Sequence, residues 1–152
     1  MKVAVVGPRE GGDTDVAADF CRELYRLNPE IVLVSGGAKG IDQVAETTWH
    51  GLGGRVWSYR IRKLAEDSYG VEKWEYGGDE PPLRFLIEAE PTFADPVSAL
   101  TYRSMLAVEA SNRVVAFAGQ FAWHGTQKTI SLARELYHKP VHLWRDGRWE
   151  EP

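Results

Sequence analysis

Three short loops hold the residues whose types and spacing could do chemistry. The densest is Ser35-Gly36-Gly37-Ala38-Lys39-Gly40-Ile41-Asp42, with three glycines in five residues, placed where helical periodicity begins. Glycines let backbone N–H groups approach a ligand, and a helix start aims unpaired N–H groups and a positive dipole end at an anion. Lys39 adds charge, and Ser35 adds a hydroxyl. Asp42 falls in the first helical turn, where a carboxylate is equally at home as a cap or as a chemical group. The pattern is neither a Walker loop nor a GxGxxG fingerprint, so it points to phosphate or ribose binding without naming a nucleotide class.

Two further loops have the same character. Gly7-Pro8-Arg9-Glu10-Gly11-Gly12 follows the first apolar run, and Arg9 has the guanidinium fork that suits a phosphate or a surface carboxylate. Ala118-Gly119-Gln120-Phe121-Ala122-Trp123-His124-Gly125-Thr126 follows a later run and again opens a helical pattern. There Gly119, Gly125 and Thr126 form a second anion cradle, the threonine hydroxyl acting as donor or cap. Trp123 and His124 could stack on a base or simply fill the loop. Arg103 stands apart from these. It lies at inner-face spacing on its helix, one turn before Leu106 and Ala107. An arginine so placed is costly unless it meets an anion, either a carboxylate or a ligand phosphate.

The elements that must position these residues alternate. Val3–Val6, Ile31–Val34, Arg55–Tyr59, Arg113–Phe117 and Pro140–Trp144 are apolar runs of strand length. Between them lie helical stripes: Val16, Phe20, Leu24 and Leu27 behind the caps Asp13 and Thr14; Ile41 to Gly51; Ala99 to Ala110; and Thr126 to Tyr137, with Ile130, Ala133, Leu136 and Tyr137 inward. Strands without polar alternation, separated by helices, predict an α/β fold: a Rossmann-like open parallel sheet of about five strands, helices on both faces, in one domain over residues 1–152. Right-handed crossovers then bring every loop that follows a strand to one edge. Residues 60–96, with Gly77-Gly78 and Pro81-Pro82, are expected to be an insertion of loop and short elements. The tail from Arg145, with Trp149, is expected to be a short strand or an intersubunit contact.

Composition narrows the partners. The 152 residues carry a net charge of −4, unfavourable for general nucleic-acid binding. Nine acidic residues against Lys73 and Arg84 lie between Leu64 and Asp95, which leaves 13 acidic and 16 basic residues elsewhere. The lone cysteine, Cys21, forms no internal disulfide and sits on an apolar helix face, as a core thiol would. No metal cluster or cofactor is assigned. With no apolar run near the ~20 residues of a membrane span, and a first strand entered directly after Met1-Lys2, the expectation is a cytoplasmic protein without membrane or signal segment.

The loop Val34-Ser35-Gly36-Gly37-Ala38-Lys39-Gly40-Ile41-Asp42 resembles the SGGA-x-G-x-D loop of the SLOG superfamily. That group includes the DNA-processing protein of natural transformation and the LOG hydrolases. Val5-Val6-Gly7-Pro8-Arg9 is similar to the VxGSR opening of its small members. Arg103-Ser104-Met105, Asn112 to Phe117 and Gly125-Thr126 are similar to their RNxxM…ADxVVAF…GT ending. The resemblance implies a Rossmann-like fold, a nucleotide-type ligand at the loop edge, and a homo-oligomer. LOG hydrolases carry a PGGxGTxxE loop with a catalytic glutamate, and an arginine upstream. The arginine maps to Arg103, but the glutamate position holds Thr129, and PGG stands as Ala118-Gly119-Gln120. The hydrolytic carboxylate is missing from its place, and Asp42 or Glu46 would replace it only by coincidence of geometry. The reading that results is a binding or sensing module for a nucleotide or related phosphorylated ligand, with no catalytic residue assigned. The alternative is a LOG-like nucleoside-monophosphate phosphoribohydrolase with a displaced carboxylate. Nucleic acid is not expected as a partner.

Overall fold

The computed structural model describes residues 1–87 and 92–150, and within them every side chain but those of residues 80 and 84–86. Its elements in chain order are β1 (Lys2–Val6), α1 (Thr14–Leu27), β2 (Val32–Ser35), α2 (Ile41–Gly51), β3 (Arg55–Ala65), β4 (Ser68–Gly77), β5 (Glu80–Ile87), α3 (Pro96–Ala110), β6 (Arg113–Phe117), α4 (His124–Ser131), β7 (Val141–Arg145) and β8 (Arg148–Trp149).

The eight strands form one sheet in the order β5-β4-β3-β2-β1-β6-β7-β8. The five central strands, β3-β2-β1-β6-β7, are mutually parallel and match the predicted sheet. Strand order reverses between β1 and β6, the position at which open α/β sheets bind ligands. On one face, Ala17 and Cys21 of α1 and Ile41, Ala45 and Trp49 of α2 pack on Val3, Val5, Leu33, Val56 and Phe117. On the other, Ala107 and Val108 of α3 and Ile130 and Ala133 pack on Ala4, Val34, Val114, Ala116 and Leu143. Cys21 is a core thiol, fully buried, and burial pushes its pKa up to about 12.

Residues 60–96 differ from the expectation of loop. Strand β3 runs on to Ala65, β4 pairs antiparallel with it and β5 antiparallel with β4, a meander that widens the sheet by two strands. Of the acidic residues, Glu72, Glu75 and Glu80 lie on these strands, and Glu88 and Glu90 lie outside the described residues; Arg62 pairs across the strands with Glu72 at 3.4 Å, and Lys73 pairs along β4 with Glu75 at 3.7 Å. Two-residue connections, Glu66-Asp67 and Gly78-Asp79, make the turns. Pro81 and Pro82 fall in the edge strand β5, where a missing ladder donor is tolerated.

The helix over Thr126–Tyr137 also differs. It begins at His124 and changes at Leu132–Leu136 to π-helical bonding, with the Tyr137 N–H donating to the Leu132 carbonyl at 3.1 Å. The extra residue in that turn rotates Leu136 outward, so it is 55% exposed and not part of the core. Trp149 in β8 packs within the chain, 5.4 Å from Phe20, 5.6 Å from Phe117 and 5.2 Å from Trp144 between ring centroids. Among the described residues no helix is long and apolar enough to cross a membrane. Trp149→Ala should lower the urea midpoint at unchanged slope, a loss of about 2 kcal/mol of unfolding free energy, because three aromatic contacts close that end of the sheet.

Candidate functional site

The glycine loops knit into one edge. Gly40 precedes α2 with φ +80°, and a Cβ there would lie 2.5 Å from the carbonyl oxygens of Pro8 and Arg9. Only glycine permits both that backbone and that approach. The Ile41 N–H donates to Pro8 O at 3.4 Å, and a Cβ on Gly7 would fall 2.5 Å from Ile41 Cβ. The third loop is tied to the first by the Gly12–Gly119 bridge and by the Gln120 N–H donating to Gly11 O at 2.9 Å. Gly7, Pro8, Gly40 and Gly119 are thus the joints of the edge.

Asp42 and Arg103 meet over the end of β2. Asp42 comes from α2 on one sheet face and Arg103 from α3 on the other. Gly36 lies between them: a Cβ there would be 2.9 Å from Asp42 Oδ2 and 3.2 Å from Arg103 Nε. Asp42 is 4% exposed. The Ala38 N–H donates to its Oδ2 at 3.4 Å, while Oδ1 has no hydrogen-bond partner among the described residues. Nor has the buried Nε of Arg103. Burial lifts the Asp42 pKa to about 7, opposed by Arg103 and by the backbone N–H groups of Ala38 and Gly7. Burial likewise lowers the Arg103 pKa; Asp42 counters this, and nearby Arg9 adds to it. Two desolvated charges flank a glycine, and each keeps an unused polar atom.

One turn along α2, Glu46 is the opposite case. It is buried, and its carboxylate accepts from Ser35 Oγ at 2.7 Å, Ser58 Oγ at 3.0 Å, Arg60 Nη2 at 3.1 Å and Tyr76 Oη at 2.6 Å. Ser35 Oγ also accepts the Gly37 N–H at 3.1 Å, so this hydroxyl is engaged inward and holds the loop. The Arg60 guanidinium lies over the Trp74 ring at 4.6 Å, and a Cβ on Gly37, whose φ is +67°, would come within 2.6 Å of Arg60 Cγ. Arg60 therefore borders the glycine loop. Sequence reading missed Arg60 because it ended β3 at Tyr59, and Tyr76 because it took residues 60–96 as loop and short elements; Ser58 lay within the predicted strand with no role assigned. The polar residues Ser58, Arg60 and Arg62 at alternate positions were the available signal.

The remaining predicted residues lie at the same edge but not in this cluster. Arg9, Gly37 and Lys39 are exposed. His124 and Gly125 open α4 in solvent, and a Cβ on Gly125 would touch nothing within 4 Å. Thr126 is buried. Among the described residues no hydrogen bond or ion pair links His124, Gly125 or Thr126 to Asp42 or Arg103. Thr129 is buried, its hydroxyl donating to Gly125 O at 3.0 Å, so that position offers no carboxylate. Nor does any group of three or more His, Cys, Asp or Glu among them stand as a metal site.

No family model and no curated protein matches the chain by sequence. Solved structures match it in three dimensions. DNA processing protein A from Helicobacter pylori, a single-stranded DNA binder, superposes with TM-score 0.66 and 20% identity, covering 97% of this chain and 67% of that one. DNA processing protein A (DprA) from Streptococcus pneumoniae gives 0.62 and 19%, over 93% of this chain and 49% of that one. The protein TM1055 gives 0.57 and 25%, over 92% and 71%. The chain shares the Rossmann-like α/β fold of these structures. At the end of β2 it brings together Gly36, Asp42 and Arg103.

Asp42 sets a pH signature. The unfolded chain ionises this carboxyl near its ordinary 3.8, the folded one near 7. Folding therefore takes up a proton between those values, and stability falls as pH rises through that window. Asp42→Asn should abolish this decline and leave the variant more stable than the parent at pH 8, by roughly 2–4 kcal/mol in urea unfolding. Glu46→Ala should behave oppositely. It strands four donors and should cost about 3–5 kcal/mol at neutral pH in the same assay.

Proposed function

We propose that the chain binds a nucleotide or a related phosphorylated small molecule over the end of β2, as a binding or sensing module. The observation that carries this is Arg103. Its Nε is buried beside Gly36 without a hydrogen-bond partner among the described residues, and Asp42 and Arg103 close so tightly on Gly36 that a Cβ there would crowd both. An unpartnered buried cation is costly in an empty site and favourable once an anion arrives. The N-terminus of α2 lacks a side-chain cap at Gly40, and Arg9 lies nearby, so the electrostatics favour the same anion.

A second reading, a LOG-like phosphoribohydrolase with a displaced carboxylate, is favoured by one feature. Asp42 titrates near neutrality, as acid–base chemistry at pH 7 needs, and keeps Oδ1 free. Glu46 is spent on its four donors and does not compete for that role. Single-stranded DNA, bound by the Helicobacter pylori protein, is not favoured by a chain of net charge −4 whose residues 64–95 hold nine acidic side chains against two basic ones.

Arg103→Met tests the main reading. In a thermal-shift screen of nucleotides, at least one should raise the melting temperature of the parent and none that of the variant. The free variant should be as stable as the parent or more so, because a desolvated charge is gone. Chromatography of each mixture for free base separates the readings: ligand without turnover supports binding or sensing, and released base supports hydrolysis. A parent protein that no nucleotide stabilises overturns both.

A further inference from the structure

Asp42 and Arg103 face each other across Gly36 without touching. Among the described residues no ion pair joins them, and Asp42 Oδ1 and Arg103 Nε are both buried without a partner. Gly36 itself has no left-handed backbone, unlike Gly37 and Gly40, so any residue could adopt its conformation. What this position requires is the missing side chain. A Cβ would stand 2.9 Å from Asp42 Oδ2 and 3.2 Å from Arg103 Nε, in the gap between the carboxyl and the guanidinium. A space of one methyl group admits no phosphate, whereas the two side chains need only turn toward each other to fill it.

We infer that Asp42 and Arg103 form a latch across Gly36, standing apart while the carboxyl carries a proton and closing into an ion pair when it ionises. A neutral acid gains little from a guanidinium, while a buried carboxylate without a cation is costly. Burial raises the Asp42 pKa to about 7, opposed by Arg103 and the Ala38 N–H, supported by Glu46 and opposed again by the Gly7 N–H. The latch therefore changes state near neutrality. Other charges do not take either partner. Glu46 is held by Arg60 and three hydroxyls, Arg9 acts on Arg103 as a like charge, and Lys39 is exposed. Closed, the latch fastens α2 to α3 over the end of β2. It also occupies the guanidinium, so on the ligand reading above anion affinity falls as pH rises through the change. The latch itself needs no ligand.

The test uses the ligand-free protein, observed by NMR across neutral pH at the Arg103 Nε–H and the Asp42 carboxyl carbon. Corrected for base catalysis, exchange of that N–H with water should slow at least tenfold or so as the carboxyl ionises, the worth of one charge-assisted hydrogen bond. Asp42→Asn should keep the fast rate at every pH. Gly36→Ala puts a methyl group in the gap, and should leave the carboxyl titrating and the exchange fast. It should fold, because its backbone suits alanine and the crowded atoms are ends of side chains. Three results overturn the latch: a carboxyl that titrates in the parent without slowing the exchange, or does not titrate in this range; slowing that persists in Gly36→Ala; and a slow rate in Asp42→Asn, which would give the guanidinium another partner. None of these touches the ligand reading, which the nucleotide screen decides separately.

Discussion

The buried carboxylate of Glu46 is the tie on which the rest of the molecule depends. Its four donors come from β2, β3 and β4, while the glutamate itself belongs to α2. One side chain therefore fastens the helix to the parallel core and fastens the antiparallel meander to both. Such a group is tolerable in the interior because every lone pair it exposes is matched, two of them by a cation and a phenol. The same tie reaches the glycine loop through Ser35, which relays the carboxylate's hold to the Gly37 N–H. Loop shape, helix position and sheet width are consequently not independent variables in this protein.

Against that saturated group, Asp42 is conspicuous. The two carboxylates are one turn apart on one helix and similarly buried, yet one is fully bonded and the other is not. Proteins keep incompletely satisfied charges where something outside the chain completes them, and relax or replace them elsewhere. Contrast between neighbours on a single element is more informative than the Asp42 pKa alone, because both side chains experience nearly the same depth of burial. The site also draws on helices of opposite sheet faces, and only the end of a strand lets such side chains meet.

Much of the fold was legible from pattern. Apolar runs of four or five residues such as Val3–Val6 and Val114–Phe117 have no polar alternation and became central parallel strands. Asp13 was readable as a cap and accepts the Val16 N–H at 3.1 Å. What was hidden has physical causes. Strands β4 and β5 carry charged residues on a partly solvated surface, so hydrophobic periodicity fades even though the backbone ladder to β3 persists and Arg62 reaches across it to Glu72. The π-helical turn at Leu132–Leu136 shifts a helical face by one residue, which no 3.6-residue template anticipates. Of the site, the glycine loop and Arg103 were visible as types and spacing. Arg60 and Tyr76 were not, since their role is defined by strand pairing across the meander and not by sequence proximity.

Cys21 has a consequence of a practical kind. The only sulfhydryl in the chain is sealed beneath α1 and held protonated, so an electrophile in solvent finds no thiolate to attack. Modification has to wait for the helix to lift from the sheet. The rate at which a maleimide consumes this one sulfur would therefore time the opening of α1, a clock built into the native sequence without engineering.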